Sequence, residues 1–480
     1  LCAADSDCIP YEVFTYQGVT PEAAAGLTGV AIRQNLGSTK VFNAYITGNT
    51  GFGLPAGEIT MAAGYEWRKV GYDTQSDTIY EDGLLLGQGG PRPSIFGEYS
   101  VDEIFVEGNV PLLADLPAIQ NLTLDLAYRY SDYDTGYDTD TYRFGVDWAP
   151  IDPLRIRAGY NRAVRAPSVT ELFSTQSLGL WTGVDPCATA TPEYTEAQCA
   201  KTGVPSGRYG LVVASPAGQY NGFFGGNPDL DPEIADTLTL GMVWDITDNM
   251  TLSVDYWSIE IEDTIGAVGP ETTIRLCAEQ DLLCDLINRG GGGSLWLGTQ
   301  EYVTATQVNL GVATWEGVDV AWAYGLEGWG GTWNFDMIGT YMLEKTTQEI
   351  AGVPDTITEC VGVISPVCYP SPEWRHTATA TYDSNSWWAL TARWRYYMEV
   401  EYDGEVDQLI DSEMKDMNYL DLNAVFRFMG THDIMVGVNN VFDNDAPLMG
   451  NTIGFTNGNA VPGFWDTLGR YWFGRVTFRF

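Results

Sequence analysis

The chain offers little of the chemistry that enzymes use. Its only histidines are His376 and His432, and neither sits in a setting that reads as a nucleophile, base and acid working together. Carboxylates are plentiful. Asp132/Asp134 and Asp138/Asp140 crowd the segment Asp134-Thr135-Gly136-Tyr137-Asp138, where they could act as glycosidase carboxylates or calcium ligands. A solvated hairpin turn would use the same residues. Eight cysteines fall as four close pairs, Cys2/Cys8, Cys187/Cys199, Cys277/Cys284 and Cys360/Cys368. Even pairing at short range suggests four local disulfides made in an oxidising compartment. Zinc is the rival reading, but no pair is a C-x-x-C and two histidines supply little imidazole. The expectation is no catalytic residue and no metal centre, with calcium in the acidic loops left open.

Binding is the remaining chemistry. Trp181, Tyr209, Tyr220, Phe223 and Phe224 cluster in one long polar connection, with Trp296, Trp465 and Asp466 in others. Exposed rings beside carboxylates suit sugars, which stack through their C–H faces, or cationic ligands; loop packing would use the same rings. The segment Glu271–Arg289 reads as a short helix around Cys277 and Cys284, packed through Ile274, Leu282, Leu283 and Ile287.

Composition restricts what can carry these loops. Apolar residues make up 45% and aromatics 13%, with 54 Gly, 27 Tyr and 16 Trp, yet no apolar run of about 18 residues exists to form a transmembrane helix. Lys and Arg total 24 against 64 Asp and Glu, a formal charge of −40, so a nucleic acid partner would be repelled. The opening Leu1-Cys2-Ala3-Ala4-Asp5 carries neither a basic nor an apolar segment and reads as a processed or cut end.

From about residue 37 onward, apolar and polar residues alternate over segments of roughly 8 to 14 residues, the pattern of two-faced strands. Leu122, Leu124, Leu126, Tyr128 and Tyr130 share one face against Thr123, Asp125 and Arg129. Trp388, Leu390, Ala392, Trp394 and Tyr396 do the same against Thr391, Arg393 and Arg395. A soluble sandwich fits each strand singly, but aromatics crowd the strand ends as in an interfacial girdle. Short turns alternate with long segments at about 166–232, 265–300, 346–371 and 443–467, as periplasmic turns alternate with extracellular loops. Fifteen strands result, with 301–326 taken as one long strand and 1–36 as a loop segment ahead of the barrel at 37–480.

Four motifs carry a resemblance. Arg165-Ala166-Pro167 followed by Glu171-Leu172-Phe173 resembles the segment closing one barrel strand of TonB-dependent receptors. Asn227-Pro228-Asp229-Leu230-Asp231-Pro232-Glu233 resembles that family's opening of the next strand, Asn439-Asn440-Val441-Phe442-Asp443 resembles its last hairpin, and terminal Phe480 resembles its assembly signal. The resemblance implies an all-β transmembrane antiparallel barrel, with fifteen strands here of a probable 22, and long disulfide-bonded extracellular loops.

It also implies an outer-membrane location and a C-terminus in the periplasm. The expected partners are a plug with the first strands, in a separate or missing chain, the TonB complex through that part, and outer-membrane lipid with lipopolysaccharide; a surface lipoprotein could join them. Leu1 would then lie in the loop between the seventh and eighth strands. Saccharide uptake is the first substrate reading and ferric-siderophore or other metal-chelate uptake the second; a passive porin-like channel or adhesin-like platform is the reading from a different class.

Overall fold

A computed structural model of the chain describes residues 12–16, 18–85, 90–365, 367–403, 413–449 and 460–479. Cys2, Cys8 and Phe480 lie outside them. Fifteen strands form one continuous antiparallel wall in sequence order. They are β1 Arg33–Leu54, β2 Gly57–Ser76, β3 Ile95–Leu116, β4 Ile119–Tyr133, β5 Asp138–Ile151, β6 Leu154–Arg165, β7 Glu233–Thr247 and β8 Met250–Gly266, followed by β9 Val308–Gly328, β10 Gly331–Gln348, β11 Trp374–Asp383, β12 Trp388–Tyr397, β13 Met417–Phe428, β14 His432–Asn439 and β15 Tyr471–Thr477. Among the described residues β1 and β15 do not pair with each other.

The alternation expected from sequence is the alternation observed. One face carries Ile104, Val106, Leu126, Phe144, Leu238, Leu240, Leu390, Leu422 and Trp472, all exposed, so this outer face suits a hydrocarbon surround. Rings gather at its short-turn end, where Trp322, Tyr324, Phe335, Trp333, Tyr382 and Trp388 follow one another at centroid spacings of 6.2, 6.3, 5.8, 4.9 and 5.2 Å. A second group stands at the loop end, where Trp374 donates to His376 Nδ1 at 2.9 Å and the His376 ring meets Trp394 at 4.4 Å. No helix among the described residues is long and apolar enough to cross a membrane.

The inner face is the one onto which the long connections fold, and its charges are matched across strands. Arg155 pairs with Asp147, Arg157 with Asp255, Arg129 with Glu103, Arg393 and Arg395 with Asp421, and Arg427 with Asp383. The wall reverses tightly between β9 and β10 at Trp329-Gly330, where both φ angles are positive (54° and 79°), as a two-residue hairpin with matching twist requires.

One strand differs from expectation. Residues 301–326 are not a single element: Tyr302–Thr306 belongs to a separate loop sheet and the wall strand begins at Val308. Val303 and Ala305 are buried in loop packing, so the alternation runs on through Gln307 while the pairing partner changes. The expected helix spans Pro270–Gln280 and stops at Asp281, which adopts a left-handed φ of 59°. Leu282 is accordingly outside the helix and exposed, whereas Ile274 and Ile287 are buried as expected. Among the described residues three disulfides are formed, Cys187–Cys199, Cys277–Cys284 and Cys360–Cys368.

Gly97 lets the longest loop touch the wall. A Cβ there would stand 2.3 Å from the Phe173 ring, which lies over the strand as part of a cluster with Tyr99, Val101, Leu172 and Leu230. Gly97→Val should lift that ring at an overpacking cost of about 1–3 kcal/mol. The check is limited proteolysis: faster cutting within 166–232, with heat-modifiable gel migration of the wall unchanged.

Candidate functional site

The root of the longest loop is tied by three of the motif residues. Arg165, at the end of β6, donates through Nε and Nη2 to Glu233 at 2.5 and 2.6 Å, and through Nη1 and Nη2 to Glu171 at 3.0 and 3.2 Å. Pro167 and Ala166 lead into the helix Val169–Phe173, capped by Ser168 in a reciprocal box with Glu171. Asn227 closes the other side, its amide donating to Glu171 O at 2.8 Å and its side chain to Gln307 O at 3.1 Å. The segment from Pro228 to Pro232 then delivers Glu233 to the start of β7. Burial pushes the Glu171 carboxyl up, but hydrogen bonds from Arg165 and Ser168 outweigh it and hold the group below the usual carboxylate range.

Above this knot the two longest connections form one unit. The strands Ser177–Thr182, Gln219–Gly225, Tyr302–Thr306 and Ile287–Asn288 make a four-stranded sheet, in which Gln219–Gly225 and Tyr302–Thr306 run parallel. The helix Pro270–Gln280 packs on it through Ile274 and Cys277. Asp185 and Arg289 cross-link the two connections, with Nη1 and Nη2 on the two carboxylate oxygens at 2.6 and 2.8 Å and side chains 1% and 0% exposed. Arg289 also donates to the carbonyls of Thr202 and Gly293 at 3.1 and 2.8 Å, so this buried charge pair is well supplied with partners. Tyr194 adds a tie to Glu279 at 2.9 Å, and burial together with that carboxylate pushes its hydroxyl up to about 12.

Most of the expected ligand-stacking rings are consumed by this packing. Trp181 and Tyr220 are buried and stacked on each other at 4.9 Å, and the Trp181 indole donates to Asn221 O. Tyr209 donates to Tyr194 O, Trp296 donates to Val213 O, and Phe223 lies against Tyr302 at 5.2 Å. Phe224 packs on the same cluster and also borders a cavity. Trp465 is buried in a second loop cluster with Ile364, Met417 and Tyr419. Trp181, Tyr220 and Trp465 thus serve as core: small loop units have few residues with which to build one, and large rings fill it.

Asp466 is a latch. It accepts from Arg395 at 3.2 Å, while its amide donates to Tyr419 Oη at 3.2 Å, pinning the last long connection to the inner wall. Asp421 beneath it gathers Arg393, Arg395 and the amide of Asn440. Asn440 itself is buried with φ 51°, and its side chain closes the turn onto Asn444. Asn439 ends β14, whereas Phe442 is exposed. Of the acid pairs, Asp134 accepts from the amide and hydroxyl of Ser100, and Asp140 accepts from Tyr128. No group of three or more His, Cys, Asp or Glu side chains among the described residues is arranged to hold a metal ion.

Below the loops, a cavity of about 380 Å³ lies against the wall, lined by Arg68, Glu103, Arg129, Arg143 and Asn161. A second, of about 330 Å³, lies at the mouth between the tops of β1 and β3 and the edge Ser177–Thr182 of the loop sheet. Sequence reasoning missed both, along with the Asp185–Arg289 pair, whose members stand 104 residues apart.

Comparison with known proteins places this arrangement. A family model described as TonB dependent receptor-like, beta-barrel, matches residues 11–441. No curated protein sequence matches the chain. Among solved structures, a variant of the ferric enterobactin receptor PfeA from Pseudomonas aeruginosa aligns at a TM-score of 0.60 and 16% identity, over 92% of this chain and 54% of its own. The siderophore receptor PirA from Acinetobacter baumannii aligns at 0.59 and 15%, over 92% and 55%, and the FrpB iron transporter from Neisseria meningitidis at 0.52 and 12%, over 91% and 55%. Identities this low show the fold alone. The chain spans about half the length of the solved structures it matches.

Two outcomes follow from the loop unit. Arg289→Met leaves Asp185 buried without its cation and should cost about 3–5 kcal/mol; hydrogen exchange should quicken in 183–202 and 287–295, and the pair change Arg289→Met with Asp185→Leu should recover much of the loss. The Glu171 clamp carries the opposite pH sign to a histidine switch. Its folded value lies below the ordinary 4.5, so its stabilisation is complete above about pH 4.5 and fades as pH falls through the lowered value. Exchange at Val169–Phe173 should therefore stay slow at mildly acidic pH and rise only in stronger acid, a rise that Glu171→Gln should remove.

Proposed function

The chain belongs to the TonB dependent receptor-like β-barrel family, and from that membership we propose that it is wall and loops of an outer-membrane active-transport receptor. In this reading the long connections face outside, where they meet the ligand, and the short turns face the periplasm. The observation that carries it is a two-faced wall: apolar outside, charge-paired inside, and roofed at one end by loops that are cross-linked to each other and latched to the inner surface.

The lumen is then filled and energised by parts outside the described sheet. β1 and β15 run in the same direction, each pairing on one side only among the described residues, so an antiparallel closure needs an odd number of further strands. An open edge in hydrocarbon would leave backbone groups unpaired at several kcal/mol each. A plug acting with the TonB complex is the partner this reading requires.

For the ligand, the saccharide reading rested on exposed loop rings, and three of these, Trp181, Tyr220 and Trp465, are buried in loop packing. The cavity at the mouth, lined by Arg33 and Arg92 with no acidic side chain, suits an anionic chelate better, which favours the metal-chelate reading. The experiment is uptake by cells with and without this gene, using a labelled ferric chelate and a labelled oligosaccharide. Energy-dependent chelate uptake that disappears with the gene and with a protonophore is the expected result. Flux that persists under the protonophore would indicate a passive channel and overturn the proposal; oligosaccharide uptake alone would restore the sugar reading.

A further inference from the structure

The cavity at the mouth is unusual for this chain. With 64 acidic residues against 24 basic ones, carboxylates dominate most surfaces, yet the lining of this cavity includes Arg33 and Arg92 and no Asp or Glu. Pro91, Ile95, Leu180 and Phe224 supply apolar surface between more polar stretches of the lining. Backbone contacts fix the geometry. Arg92 donates its amide to Tyr80 O at 2.7 Å, and Gly90, at φ 142°, packs so near the loop sheet that a Cβ would stand 2.9 Å from Leu178 O.

Arg33 is the informative group. Its Nε is the one arginine nitrogen among the described residues that is buried with no hydrogen-bond partner. Elsewhere the chain shows to which acceptor such an edge donates. Arg157 presents Nε and Nη2 side-on to the two oxygens of Asp255 at 2.8 and 2.8 Å, Arg162 to Asp236 at 2.9 and 2.6 Å, and Arg395 to Asp421 at 2.9 and 3.1 Å. In each case the partner is a carboxylate that meets the fork through both of its oxygens. A buried polar nitrogen without a partner is costly, and a planar two-oxygen acceptor is the group that fits this fork.

We propose that the cavity bounded by Arg33, Arg92 and the loop-sheet edge Ser177–Thr182 is a binding site for the carboxylate group of a ligand with an apolar body. The carboxylate lies side-on against Arg33, while Pro91, Ile95, Leu180 and Phe224 enclose the carbon frame. This deepens the receptor reading and rests on it for the ligand's route, since the site stands where the loop unit meets the wall.

The test uses the intact receptor in detergent, with 2-naphthoate as the carboxylate probe and methyl 2-naphthoate as its neutral counterpart, binding being read by calorimetry. The acid should bind at least ~10-fold more tightly than the ester, as expected for a charge-assisted bidentate contact out of water. Arg33→Met should bring the acid down to the level of the ester without changing the ester. Arg33→Lys, which keeps the charge but not the fork, should fall between the two. Equal binding of acid and ester by the native receptor, or an Arg33→Met receptor of normal heat-modifiable migration that binds the acid unchanged, overturns the proposal. The carboxylate site stands if the acid binds through Arg33 while cells show no energy-dependent uptake; that result removes the transport reading instead.

Discussion

Every backbone N–H and C=O in a hydrocarbon layer must find a partner within the protein, and a continuous antiparallel ladder is one of two ways to achieve it. The rest of this structure follows from that requirement. A ladder forces side chains to alternate, so each strand must be apolar on one side and is free to be charged on the other. Charges on the inner side then stand beside their neighbours' charges at fixed register. That is why Arg157 finds Asp255 across two strand boundaries and Arg395 finds Asp421 across one.

The ladder also explains which parts of the molecule were legible in sequence. A period of two survives single-residue noise, so the order of the wall strands and the facing of Leu126, Leu390 and Arg393 could be read directly. The motif at Arg165, Glu171 and Glu233 was visible as spelling, but its geometry was not: the three side chains meet because a loop of more than sixty residues returns to its own root, joining positions 68 apart. Alternation hid the break at Gln307, since a strand that changes partners keeps its period. Aromatic composition could not separate a binding shelf from a small core, because Trp181 and Tyr220 would look the same in either.

The mouth was the least legible part for a related reason. Arg33 belongs to β1, Arg92 to the connection after β2, and Phe224 to the loop sheet, so no local pattern joins them. What identifies the site is a relation between groups: a guanidinium edge that Arg157, Arg162 and Arg395 each present to a carboxylate, and that Arg33 holds buried without a partner.

The parallel pairing of Gln219–Gly225 with Tyr302–Thr306 bears on the order in which the molecule is built. Antiparallel neighbours can zip from a turn, but these two segments are separated by the β7–β8 hairpin and the connection after it, and no single turn joins them. Closing a contact of that span carries a large entropy cost until the hairpin has brought its ends together. Roof assembly is therefore a late event in biogenesis, and the Cys187–Cys199 and Cys277–Cys284 crosslinks, each internal to one connection, can form beforehand without trapping the two connections in a wrong association.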